Sequence, residues 1–131
     1  MDVQAEVRFC GLRHHLGIID QIIEDLHLQE FAFEVRLILS EAISNAFFHG
    51  NRGDDRLPIW VRYSRQSSLV QLEIEDSGDG LTPVLIPDEV EPEALLEENG
   101  RGLYLIRCFA DCVTFTCNKL QIRKTIGQTA S

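Results

Sequence analysis

Glu41 and Asn45 stand four residues apart in a segment of helical pattern, and His49 extends the same row. Further along, Asp76-Ser77-Gly78-Asp79-Gly80 follows an alternating strand pattern, and Gly100-Arg101-Gly102-Leu103 opens an apolar helical run. An acid and an amide on one helix face, an acid running into two glycines, and a glycine-flanked arginine are the parts a nucleoside-triphosphate site needs. The Asn45 carbonyl oxygen can ligate magnesium, and Glu41 can orient or deprotonate a nucleophile beside it. Asp76 can accept a hydrogen bond from an amino group such as N6 of adenine, while Gly78 and Gly80 let the backbone approach a flat base. Free N–H groups at a helix start bind phosphate oxygens, and Arg101 adds a fixed charge.

Each stretch also has an ordinary explanation. Glu41 and Asn45 can bridge or cap neighbouring helices, Asp-Ser-Gly-Asp-Gly is common turn chemistry, and Gly-Arg-Gly can be a plain loop. Their joint occurrence in this order is more specific than any one of them.

The elements that must position these residues are read from periodicity. Val3, Ala5, Val7 and Phe9 alternate with Gln4, Glu6 and Arg8, the period of a half-buried strand. Leu12, Leu16, Ile19, Ile22, Ile23 and Leu26 recur at helical spacing over about 12–27. A second helical pattern over about 29–48 carries Phe33, Leu37, Ile38, Ala42 and Phe47, and stops at the glycine-rich His49-Gly50-Asn51-Arg52-Gly53. Because Leu37 shares the row of Glu41 and Asn45, that face is expected to point inward. Strands are expected at Ile59–Tyr63 and Leu69–Asp76, joined by a polar turn over Ser64–Ser68, with Asp76 on the helix-facing side. A long acidic loop with Pro83, Pro87 and Pro92 spans about 81–99, has the character of a functional lid, and could hold one helical turn at about 93–98. A third helix begins near Arg101, and a hairpin of Val113–Cys117 and Leu120–Arg123 turns at Asn118. This order predicts an α+β two-layer sandwich, a mixed and mostly antiparallel sheet covered on one face by about three helices.

Composition bounds the function. With 131 residues the chain is expected to form one domain, residues 1–131, that buries about two thirds of its unfolded surface. Its net charge of −9 opposes a nucleic-acid-binding role, which needs a basic face, and directs attention to proteins and small molecules as partners. The N-terminus is acidic, without the apolar core of a signal peptide, and no run approaches a membrane span, so a cytoplasmic location is expected. The four cysteines, Cys10, Cys108, Cys112 and Cys117, form no C-x-x-C pair. Cys108 and Cys112 at helical spacing make a zinc site imaginable, but small buried apolar residues are the expected role.

Taken together, the motifs resemble those of the Bergerat-fold ATPases, the superfamily of gyrase, heat-shock chaperones, mismatch-repair proteins and histidine kinases. Glu41-x-x-x-Asn45 is similar to the N box, Asp76-x-Gly78-x-Gly80 to the first glycine box, and Gly100-Arg101-Gly102-Leu103-x-Leu105-Ile106 to the second. The short form, with Asn45-Ala46-x-x-His49-Gly50, is most similar to the anti-sigma-factor serine/threonine kinases, over about residues 7–125. The resemblance implies ATP and Mg2+ as cofactors and a nucleotide-binding set of Asn45, His49, Asp76, Gly78, Gly80, Gly100, Arg101, Gly102 and Leu103. Asn45 would be the metal ligand and Glu41 the catalytic base that activates a partner's serine or threonine hydroxyl. It further implies an anti-sigma antagonist as phosphoacceptor, a sigma factor or other regulator as binding partner, and often a homodimer. The alternatives are a stand-alone histidine-kinase-type ATP-binding module and a non-catalytic nucleotide-dependent partner switch. Many members carry Gly-Thr near the last strand; here the comparable turn is Cys117-Asn118-Lys119.

Overall fold

A computed structural model describes residues 2–78 and 98–127, with only the backbone course given for residues 2 and 98–101. The elements run β1 (Asp2–Cys10), α1 (His15–Asp25), a 3-10 turn (Gln29–Phe31), α2 (Ala32–Asn45), a π turn (Ala46–Gly50), β2 (Pro58–Gln66), β3 (Leu69–Glu75), α3 (Glu98–Phe109), β4 (Cys112–Thr116) and β5 (Lys119–Thr125). The sheet order is β1-β2-β3-β5-β4, and every pairing is antiparallel. The mixed sheet expected from sequence is therefore antiparallel at each neighbour. β3 and β4 nevertheless run parallel, because each lies antiparallel to β5 between them. The connection through α3 must accordingly cross over β5 to reach the far edge.

Alternation along the strands decides which face meets the helices. Ile59, Val61, Tyr63, Val70, Leu72, Ile74, Leu120 and Ile122 are buried against Ile19, Ile22, Ile23, Val35, Ile38, Leu39 and Ile43 of α1 and α2. Leu103 and Ile106 bring α3 into the same core. The helices and sheet thus form the expected α+β sandwich. Arg65 fixes α1 to the sheet by donating from Nη1 to the carbonyls of Leu26 at 2.6 Å and His27 at 2.9 Å, orphan acceptors at the helix end.

The opposite face of the sheet is polar. One cross-strand row runs Glu6, Arg62, Glu73, Gln121, Thr114 over all five strands. Arg62 donates to Glu6 at 2.7 Å, Glu73 at 2.6 Å and Glu75 at 2.8 Å. Among the described residues no helix is long and apolar enough to cross a membrane.

Several local expectations change. β2 continues to Gln66, so the hairpin turn is the pair Ser67-Ser68, with Ser67 at φ 58°. The polar side chains of Ser64, Arg65 and Gln66 belong to a strand with one solvated face, not to a loop. Phe33 and Leu16, apolar positions of the helical patterns, are exposed instead of buried. All four cysteines are exposed as well. Cys10 follows the outward parity of Gln4, Glu6 and Arg8 in β1, and Cys117 occupies a hairpin turn. The helical spacing of Cys108 and Cys112 does not apply, because α3 ends at Phe109 and Cys112 starts β4.

Candidate nucleotide site

Glu41 and Asn45 share one face of α2, as their spacing requires, but this row lies on the shoulder of the core face. The buried stripe is Val35, Ile38, Leu39, Ala42 and Ile43, whereas Leu37, Glu41 and Asn45 are half-buried. That placement removes the cost that full burial of an unpaired carboxylate would carry. Among the described residues neither Glu41 nor Asn45 makes a side-chain hydrogen bond, so both are free to engage a ligand.

α2 then passes into the π turn, closed by the Asn51 N–H donating to the Ala46 carbonyl at 2.8 Å. A π turn carries one residue more than an α turn and rotates the chain beyond it by about 100°. His49 therefore leaves the row of Glu41 and Asn45 and is exposed, with no side-chain hydrogen bond among the described residues. Gly50 and Asn51 turn towards the end of β3 instead.

At that end Asp76 is 5% exposed. Its carboxylate Oδ1 accepts the Gly78 N–H at 2.7 Å. A Cβ on Gly50 would overlap the Asp76 carboxylate, and a Cβ on Gly78 would stand 2.8 Å from the Gly50 carbonyl oxygen. The first and second motifs are consequently in contact, and the absence of side chains at both glycines makes that contact possible.

The third motif meets the first. A Cβ on Gly102 would lie 2.6 Å from Glu41 Oε2, so the first turns of α3 run directly beside the Glu41 carboxylate. α3 starts at Glu98, three residues before the expected Arg101. Gly100 falls among the first N–H groups that an α-helix leaves without an internal partner, whereas Gly102 and Leu103 lie where N–H groups bond back into the helix. Gly102 lies against Glu41, and the Leu103 side chain is 6% exposed in the core. Gly80, the lid expected over about 81–99 and the helical turn at 93–98 fall outside the described residues, apart from the start of α3. The Arg101 side chain does too.

Among the described residues no three His, Cys, Asp or Glu side chains cluster as metal ligands. The donor set suits a magnesium ion held by one protein oxygen, with phosphate oxygens and water completing the octahedron, the usual arrangement for this hard, reluctantly dehydrated ion. The half-buried Asn45 amide, without a partner among the described residues, is where such an oxygen would come from.

Three residues of the site escaped the sequence reading. Asn51 is 1% exposed, and its Oδ1 accepts the Ser77 N–H at 2.7 Å. Ser77 Oγ donates to the Pro58 carbonyl at 2.6 Å. Asn118 Nδ2 donates to the Asp76 carbonyl at 2.6 Å, from the turn that replaces the more usual Gly-Thr. Asn51 and Asn118 both sit in segments whose composition reads as turns, and nothing local marks them as buried partners of distant residues. At the start of α1, His15 Nδ1 is 2.7 Å from the Leu12 carbonyl oxygen, and His14 is exposed.

A model of the histidine kinase-like ATPase domain matches residues 16–124, spanning all three motifs. The chain belongs to this family. The family is that of the Bergerat-fold ATPases, and the three motifs lie along the matched segment. Similar curated proteins are anti-sigma F factors. That of Bacillus cytotoxicus is 29% identical over 93 residues, covering 66% of this chain and 60% of its own length. The Lysinibacillus sphaericus protein is 28% identical over 85 residues, covering 62% and 57%, and the Bacillus cereus protein 28% over 113 residues, covering 81% and 72%. The chain thus spans about three fifths of the first two relatives.

Proposed function

We propose that the protein is an ATP-dependent serine/threonine kinase of the anti-sigma-factor type, working in the cytoplasm on a small antagonist protein while binding a regulatory partner such as a sigma factor. The observation that carries this is the double contact of Gly50 with Asp76 and of Gly102 with Glu41, which sets the second and third motifs against the segment of α2 and its π turn that carries the first. The anti-sigma F names of the relatives support the partner class.

In this reading Asp76 accepts a hydrogen bond from the adenine amino group. Asn45 would hold a magnesium ion, which would supply charge neutralisation to the phosphates. The N-terminal turn of α3, with Gly100 and Arg101, receives the phosphates. Glu41 accepts the proton of the partner's hydroxyl as its oxygen forms a bond to the γ-phosphorus and the bond to ADP breaks. Such transfer depends chiefly on alignment and charge, and the half-buried Glu41 beside α3 is suited to orient the nucleophile.

The test is incubation with Mg-ATP and a candidate antagonist, followed by detection of phosphoserine or phosphothreonine. The wild type is expected to transfer phosphate, and Glu41→Ala to lose at least about a hundredfold in rate while keeping ATP affinity. No phosphoprotein despite tight ATP binding would leave a nucleotide-dependent partner switch as the function.

A further inference from the structure

We propose that Asn51 and Asn118 are positioning residues that aim the Asp76 carboxylate, and that base selectivity is set through them. The proposal rests on Asp76 being the base-recognition residue. Asp76 leaves the sheet ladder, whose last β3–β5 pair is Glu75 with Lys119. Asn118 nevertheless binds both of its backbone groups. The Asp76 N–H donates to the Asn118 carbonyl at 3.1 Å, and the Asp76 carbonyl accepts from Asn118 Nδ2 at 2.6 Å. A side-chain amide thus extends the antiparallel ladder by one residue, where a Gly-Thr turn would have no carboxamide to offer.

The next peptide is held from the other side. Asn51 Oδ1 accepts the Ser77 N–H, while Asn51 Nδ2 faces the carbonyls of Leu57 at 3.2 Å and Pro58 at 3.3 Å. This position needs an acceptor and a donor on one short planar group, which a carboxamide provides and a carboxylate does not. Asn51 is itself anchored by its N–H in the π turn. With Asn118 gripping the backbone of Asp76 and Asn51 that of Ser77, and Gly50 crowding the carboxylate, little freedom remains in its direction. A hydrogen bond that discriminates one base from another requires placement within about 0.5 Å. Releasing either clamp should therefore weaken ATP binding while leaving GTP binding nearly unchanged.

The experiment titrates the full chain with Mg-ATP and Mg-GTP in five forms: wild type, Asp76→Asn, Asn51→Ala, Asn118→Ala and the Asn118→Ala/Asp76→Asn double variant. The wild type is expected to prefer ATP and Asp76→Asn to lose the preference. Asn51→Ala and Asn118→Ala should each lower the ATP-to-GTP affinity ratio about tenfold, with GTP affinity within about twofold. In the double variant Asn118→Ala should change the ratio no further, the signature of action through Asp76. If Asp76→Asn removes the preference but both asparagine variants keep the wild-type ratio, positioning is refuted and the role of Asp76 stands. If Asp76→Asn leaves the preference intact, the base reading fails and the positioning role fails with it. Should Asn51→Ala not fold, Asn118→Ala, on a half-exposed hairpin turn, decides alone.

Discussion

Glycine does different work at Gly50 and Gly102, although both lie beside an acidic side chain of the site. At Gly50 an added Cβ would meet not only the carboxylate of Asp76 but also its Cβ, which cannot swing away. Gly50→Ala is expected to cost about 1–3 kcal/mol, as overpacking does, and to weaken nucleotide binding; urea unfolding and nucleotide titration check both. At Gly102 the nearest atom is the free end of Glu41, which can turn aside, and the residue lies within α3, where alanine is favoured by up to about 1 kcal/mol. Gly102→Ala should therefore leave stability unchanged or slightly raised while phosphate transfer falls about tenfold or more through displaced Glu41. A variant that melts as high as wild type and transfers as fast would show that this contact has no catalytic role.

At the level of elements, the polar sheet face depends on Arg62. Burial pushes the Glu73 carboxyl upward, but hydrogen bonds from Gln121 and Arg62 outweigh it and hold Glu73 below its ordinary 4.5. A carboxylate depressed in the folded state contributes stability above its unfolded value and loses it as pH falls through the folded one. Arg62→Met is expected to cost about 1 kcal/mol at pH 7, discounted because the pairs are partly exposed, and the deficit should shrink as pH drops below about 4.5. Denaturant melts across that range test it. This same solvated face explains why strand ends were hard to read from sequence. Ser64, Gln66 and Thr125 are polar because one side of the sheet meets water, and polarity at a strand end mimics a loop. The apolar parity of β1 and β3 was legible throughout, as was Asp76 on the helix-facing side.

On the scale of the whole molecule, Tyr63 ties the helical layer to the sheet by donating to Asp25 Oδ2 at 2.7 Å. Burial first, and the Asp25 carboxylate second, push its phenol up to about 12. A folded-state value raised from 10 means stability fully present below pH 10 and lost as pH rises to about 12. The stability advantage of wild type over Tyr63→Phe should therefore decline by about 2 kcal/mol across that interval, measured by urea unfolding at each pH. Periodicity and motif chemistry in the sequence alone determined the order of elements, the two-layer class and the candidate acids and glycines, because helical and strand periods are local properties of the chain. Only the tertiary structure decided that Gly50 abuts Asp76, that His49 turns out of the row, that the cysteines are exposed, and that Asn51 and Asn118 hold the loop around Asp76. Those two clamps join residues 26 and 42 positions apart, distances along the chain over which sheet register and the π turn, not local pattern, set what touches what.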